Sequence, residues 1–310
     1  MKKTTLELVE PRLSQGRFSS LEALTDEALF RQTGVRIAFT GRTGGVSTGP
    51  YASLNLGAHV KDDPACVGEN RRRAMEAFGA EGFPLIVPNQ VHGDVVLTVD
   101  EPAAAPCIQK AADEGADGIV VTCAGVASLL CFADCMPVIV VSPSGAFAVV
   151  HAGWRGVMAQ IAAKAVGALL EADRAQGEGT TADMLNVYVG PHIQAECFET
   201  SSEIHDEFVR TFGSACSAGP RHVSLVAAQR ESLSRVGVDM RRVADAGICT
   251  VCCNDAYYSY RAQEGVCGRH GAFIPRRKEK HSIPICPRPW GSSRRQRISI
   301  SRCSIWKQGN

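Results

Sequence analysis

The stretch CFADCMPVIVVSPSGAFAVVHAGWRG (131–156) decides how this chain is read. Two apolar, β-branched runs, PVIVVS (137–142) and AFAVVHA (146–152), flank a Pro/Ser/Gly turn, which is the pattern of two buried strands. Cys135 stands just before the first run, and His151 closes the second ahead of a Gly-Trp-Arg-Gly turn. Strand ends are where folds of mixed strands and helices most often place chemistry.

Working outward, DGIVVT (117–122) and VASLLCF (126–132) read as further strands, so 117–152 is expected to form a meander. Upstream, FPLIVPNQVHGDVVLTVD (83–100) reads as two strands broken at His92–Gly93, joined to 117 by a Pro/Ala-rich connection. VRIAFT (35–40) is an expected strand feeding a Gly/Ser/Thr-dense loop, 41–57, and 63–78 an expected helix with Pro64 in its first turn. A short helix is expected over 20–31. Downstream, Val157, Ile161, Ala165 and Leu169 mark one stripe of a helix over 157–172. A strand at 184–190, helices at 201–212 and 224–234, and a closing hairpin from YYSYRAQ (257–263) and GAFI (271–274) complete an α/β reading of mixed α+β layers. Residues 1–274 are expected to form one domain, and 275–310 a basic, unpacked tail.

A 310-residue chain that is 45% hydrophobic and 21% charged can bury a substantial core. MKKTTLELVEPRL at the start has no apolar core of a secretory signal, and no run is long enough to span a bilayer, so the expected location is the cytoplasm. The 13 cysteines are scattered, which suits thiols, ligands or core residues better than a disulfide framework. Residues 275–310 hold 10 of the 33 Lys and Arg, leaving 1–274 with 23 basic against 31 acidic residues, a formal charge of −8. An acidic body argues against nucleic acid as the partner.

Of the eight histidines, His92 (QVHGD), His151 and His192 (VGPHIQ) lie at strand ends beside glycines. Two imidazoles and one thiolate, His92, His151 and Cys135, suit zinc with a fourth position open for water or substrate. Their separations, 43 and 16 residues, match no local zinc-finger spacing. The competing reading makes Cys135 and His151 a nucleophile and its base, with Asp134 as the orienting carboxylate. The lone C-x-x-C at 249–252 is weak without a second pair, and no H-x-H of a clustered copper site occurs. Arg42 and Arg155, each beside glycines, are the anion-binding candidates, and Ser47 and Asn55 are the substrate-binding candidates of the 41–57 loop.

Segments in chain order, among them TGRTGGVSTGPYASLNLGAHV (40–60), NQVHGDVV (89–96), ADGIVVT (116–122), ADCMPVIVVSP (133–143), AVVHAGWRG (148–156), VGPHIQAECFE (189–199) and YYSYRAQEGVCGRHGAFI (257–274), resemble the YfiH-type family. Its members are described as laccase-domain or polyphenol oxidase proteins, as purine nucleoside phosphorylases and as peptidoglycan editing factors. The resemblance implies a layered sandwich of β-sheets flanked by helices, distantly similar to a toxin deamidase with a cysteine–histidine site. It implies zinc on His92, Cys135 and His151, phosphorolysis of adenosine, inosine, guanosine and methylthioadenosine, and deamination of adenosine. Copper-dependent phenol oxidation is an older attribution, and a cysteine-nucleophile amidase acting on cell-wall precursors is the alternative. The partners implied are a purine nucleoside and phosphate, with the chain a monomer or homodimer. Asp134 is the candidate proton carrier. The chain departs from the family pattern after GAFI, where 275–310 differ in composition.

Overall fold

The computed structural model describes residues 7–277. In chain order they form β1 (Ser14–Phe18), β2 (Leu21–Thr25), α1 (Glu27–Thr33), β3 (Ala38–Thr40), α2 (Pro64–Ala77), β4 (Leu85–Ile86), β5 (Val96–Val99) and α3 (Ala105–Glu114). The central portion is β6 (Gly118–Val121), β7 (Ala127–Phe132), β8 (Met136–Val141), β9 (Phe147–Ala152), α4 (Trp154–Met158), α5 (Ile161–Ala175) and β10 (Asn186–Val189). Then follow α6 (Ser202–Phe212), β11 (Ser217–Gly219), β12 (His222–Val223), α7 (Leu225–Arg235), β13 (Val243–Asp245) and β14 (His270–Pro275).

Two six-stranded mixed sheets result, ordered β1-β2-β3-β14-β7-β4 and β13-β10-β8-β9-β6-β5, with β11 and β12 as a separate ribbon. Side chains alternate across each strand, and the alternation sorts them into layers. Met136, Val138 and Val140 of β8, with Ala148 and Val150 of β9, pack under α5, α6 and α7. Ile139, Val141, Phe147 and Val149 face the other way, against Leu130, Phe132, Phe39 and Ile274 of the first sheet. Ala127 and Leu129 of β7 lie on that sheet's outer side, under Ala74 and Phe78 at α2 and Leu54 and Leu56 of the 41–57 loop. The order of layers is helix, sheet, sheet, helix, an α/β sandwich.

The expected meander is not formed. β7 leaves for the first sheet, where it pairs with β14, while β8 and β9 pair in the second with β10 and β6. These strands are apolar on both faces because both sheets are covered on both sides, so hydrophobicity could not reveal the switch. The chain changes sheets at 133–135, where Asp134 takes φ 84, and this turn carries Cys135.

Other differences have local causes. The helix expected over 20–31 is a hairpin strand, β2, then α1, which Asp26 starts by accepting from Ala28 N and Leu29 N. The Pro/Ala-rich connection contains α3, as its alanines and first-turn proline favour. The helix expected over 157–172 is two helices, divided at Gln160 with φ 57. YYSYRAQ forms turns rather than a strand, and β14 inserts between β3 and β7 instead of closing a hairpin. Pro275 lies in β14, and Arg276 donates to Thr122 O (3.0 Å) and Ser144 O (2.8 Å), so the fold continues past 274. The rest of the expected tail, 278–310, lies outside the described residues.

Phe147 is fully buried between the sheets. Phe147→Ala is expected to lower unfolding free energy by about 3–5 kcal/mol, read from urea denaturation.

Candidate metal centre

His92, Cys135 and His151 come together although they leave three different elements, with their donor atoms all within 4.8 Å of one another. His151 is in the last turn of pairing of β9, opposite Pro137 of β8, so its side chain falls on the face between the sheets. Its ring lies 5.5 Å from that of Phe132 and 4.7 Å from that of His92. Cys135 comes from the sheet-switching turn, and His92 from the loop before β5.

Asp117, just ahead of β6, assembles this group and was given no role by the sequence reading. Its Oδ1 lies 2.7 Å from His151 Nδ1 and accepts from His92 N at 3.0 Å. Its Oδ2 accepts from Val91 N (3.1 Å) and Gly93 N (2.7 Å). Three consecutive backbone N–H groups thus converge on one buried carboxylate, which holds His92 at φ 59. The ion pair fixes Nδ1–H on His151 and leaves Nε2 as its donor atom, the carboxylate–histidine arrangement common behind metal ligands. Burial opposes the charge on Asp117, but the hydrogen bonds from His151 and Gly93 outweigh it and hold the carboxyl below its usual range. The available signal was its place directly before a strand, in ADG.

The three donors polarise one another. Burial acts to raise the Cys135 thiol, yet the charge and hydrogen bonds of His151 and His92 bring it down to about 6. Burial acts to lower His151, yet Cys135 and Asp117 push it up to about 9. At neutral pH the metal-free pair is therefore thiolate and imidazolium, with one proton shared between two groups. Gly153 seals the other side. A Cβ there would lie 3.1 Å from both Cys135 Sγ and His92 Cδ2, so the first glycine of GWRG lets the chain approach the two donors without crowding them.

The three donors open into a cavity of about 430 Å³. Trp154, Phe198 and Tyr260 contribute aromatic wall, Arg261 and Arg269 contribute positive charge, and His59 an imidazole. Arg269, on the cavity wall, commits Nη1 to Cys267 O and Gly268 O, at 2.9 Å each. His59 is lowered from its usual value by burial and then by the cations Arg269 and Arg71, a mark of local positive potential.

The arginines expected to bind anions are placed elsewhere. Arg42 donates to Ala52 O (3.1 Å) and Asn254 O (2.6 Å) and stacks on Tyr258, clamping two loops together. Arg155 is exposed, over the Trp154 ring at 4.4 Å. Ser47 and Asn55 are buried inside the 41–57 loop, both bonded to Asp62 Oδ2, at 2.6 and 2.8 Å. None of the four is on the cavity wall. Asp134 is on it, with Oδ1 accepting from Thr250 Oγ1 (2.6 Å) and Oδ2 from Arg261 N (2.7 Å), so both oxygens tie down neighbouring turns. His192 stands apart, buried, with Nδ1 2.9 Å from Gly190 O. Arg261, Arg269 and Tyr260 lie in a segment read as a strand, or next to it, which is why they were passed over.

With that geometry in place, comparison with known proteins gives the class. A family model described as "multi-copper polyphenol oxidoreductase laccase" matches residues 36–277, and the chain belongs to this laccase-domain, or YfiH, family. It is 35% identical over 259 residues to purine nucleoside phosphorylase YlmD of Geobacillus stearothermophilus, covering 79% of this chain and 92% of that one. It is 36% identical over 248 residues to a purine nucleoside phosphorylase of Pseudomonas aeruginosa, covering 77% and 93%. The crystal structure of YlmD superposes with a TM-score of 0.73 at 30% identity, over 86% of this chain and 100% of that one. No helix among the described residues is long and apolar enough to cross a membrane.

The donor set fits a single thiophilic metal better than the multi-copper centre in the family's description. Among the described residues this group has two histidines and one cysteine, and the other group of potential ligands has no histidine. Two outcomes are expected. Asp117→Asn should weaken zinc binding about 10–100-fold in a chelator-competition titration. Zinc binding by the metal-free protein should release a proton from His151 near neutral pH, and more protons as the pH falls below about 6, where Cys135 is also protonated. Calorimetry in buffers of different ionisation enthalpy reads both.

Proposed function

We propose that the chain is a zinc-dependent purine nucleoside phosphorylase, converting adenosine, inosine, guanosine or methylthioadenosine plus phosphate to the free base and ribose-1-phosphate. Adenosine deamination at the same site is part of the proposal. The observation that carries it is the pairing of an open three-donor centre with a cationic patch across one cavity of nucleoside size. Relatives at 35% and 36% identity bear the phosphorylase name.

Zinc held by His92, Cys135 and His151 supplies Lewis acidity toward the nucleoside. The remaining work falls to side chains. Arg269 and His59 hold the phosphate dianion, with Arg71 adding to the field, and so place an oxygen against the sugar's anomeric carbon. Tyr260, Trp154 and Phe198 offer flat apolar surface to the purine. Arg261, whose guanidinium donates to Cys197 O (3.1 Å) and Glu199 O (3.3 Å), holds the wall in position. Negative charge growing on the departing base is met by fixed positive groups in a partly dry site, where electrostatic stabilisation is strongest. Asp134, with both oxygens already accepting, serves as a brace rather than a proton carrier.

A second reading rests on one specific observation. Asp117, His151 and Cys135 also form a chain of carboxylate, imidazole and low-pKa thiol, as in a cysteine hydrolase or amidase acting on cell-wall precursors. The additional contact of His92 with Cys135 has no place in such a triad, and it favours the metal.

The purified full chain, loaded with zinc, should form ribose-1-phosphate and adenine from adenosine only when phosphate is present. No product from any of the four nucleosides would sink the phosphorylase reading. Turnover that survives zinc removal but stops on alkylation of Cys135 would move the assignment to the nucleophile. Arg269→Ala should lower kcat/KM for phosphate about 10–100-fold, the cost of a charge-assisted hydrogen bond. Deleting 278–310 should leave turnover unchanged.

A further inference from the structure

A second cluster of potential ligands lies outside the centre described above, and it does not depend on the proposed activity. Glu196 and Cys197 sit in the turn after β10, where Cys197 N donates to Gln194 O at 3.0 Å. Cys249 and Cys252 lie in the turns after β13, where Cys253 N donates to Cys249 O at 2.9 Å and brings the two thiols to one side. One carboxylate oxygen and three sulfurs lie within 4.8 Å of one another. The C-x-x-C that was a lone pair in the sequence gains its third and fourth donors from a segment more than fifty residues earlier.

The spacing suits a metal. Cys197 Sγ and Cys252 Sγ are 3.6 Å apart. A tetrahedral zinc with Zn–S bonds of about 2.3 Å separates its sulfurs by about 3.8 Å. A disulfide needs about 2.05 Å and would leave Cys249 and Glu196 without a part. Nor is the cluster simply core, because Cys252 and Glu196 are exposed and Cys197 half-buried, with only Cys249 enclosed. Gln194 N lies 3.5 Å from Cys249 Sγ, a backbone donor of the kind that supports a ligating thiolate.

We propose that Glu196, Cys197, Cys249 and Cys252 bind one thiophilic divalent cation, zinc by their donor set, as a closed structural site. Four protein donors leave no open position, in contrast to the three at His92, Cys135 and His151. The ion would join the turn at 194–199 to the turn at 248–253. The first carries Phe198 on the cavity wall and is tied to Arg261, and the second is tied to Asp134. Thr250, between the two cysteines, donates to Asp134 Oδ1, and the Arg261 guanidinium holds the carbonyls of Cys197 and Glu199. The second site therefore braces the cavity wall from behind.

The test is metal content of the full chain, purified under reducing conditions, loaded with zinc and desalted. Cys252→Ser should bind one equivalent less than both the parent and the control Cys107→Ser, an exposed thiol on α3. Cys252→His should restore that equivalent. His92→Ala should lose a different equivalent, and in that background cobalt(II) should still give an intense thiolate charge-transfer band that Cys252→Ser removes. Circular dichroism verifies folding of each variant. Equal zinc in Cys252→Ser and the parent would overturn the site, as would equal losses in the serine and histidine variants. A Cys197–Cys252 disulfide, found by peptide mapping of protein purified without reductant, would overturn it too.

Discussion

The carboxylate of Asp117 is the constraint on which the site depends. It is fully buried, and it is kept charged by His151 and by three successive backbone N–H groups. Removing one partner of such a buried pair typically costs about 3–5 kcal/mol, because the remaining charge is stranded. The same atoms that stabilise the charge orient the site. One oxygen fixes the His151 tautomer, and both hold the loop that presents His92. Stability and function are here the same set of hydrogen bonds.

A second buried carboxylate, Asp134, does the corresponding work on the other wall. It occupies a positive φ at the turn where the chain passes from one sheet to the other, and it binds Thr250 and Arg261. Cys135 follows it directly, so the sheet switch, the ligand and the wall of the cavity are set by one turn. Gly153 completes the arrangement from the third side, since any Cβ there would crowd Cys135 and His92 at 3.1 Å. The reactive group sits between the sheets at their edge, where burial sharpens electrostatics and a cavity still admits a ligand.

His92, Cys135 and His151 were legible early as a set because each stands at the edge of a strand-like run with glycine or proline within two residues. The residues that make the cationic wall of the cavity were not. Arg42 looked free beside glycines, but in the fold it meets Ala52 O of its own loop and two acceptors, Asn254 O and Gln263 Oε1, from more than two hundred residues away. Ser47 and Asn55 turned inward for the same reason: a long loop buried under α2 must satisfy its own polar groups. The cationic wall came instead from Arg261 and Arg269, in a stretch whose aromatic residues imitate a strand.

By itself the sequence determined the buried strands and most helix positions, and it singled out His92, Cys135 and His151 as candidates, because these depend on local periodicity and on residue types at strand ends. Only the tertiary structure decided which sheet each strand joins, since runs apolar on both faces carry no record of their partner. It alone decided that Asp117 stands behind His151, and that Glu196 and Cys197 complete the C-x-x-C at 249–252. Those are contacts between segments far apart in sequence, and they exist only once two covered sheets bring their edges together. The stretch 131–156 thus named two of the three clustered donors, while the fold supplied the carboxylate, the glycine contact and the cavity beside them.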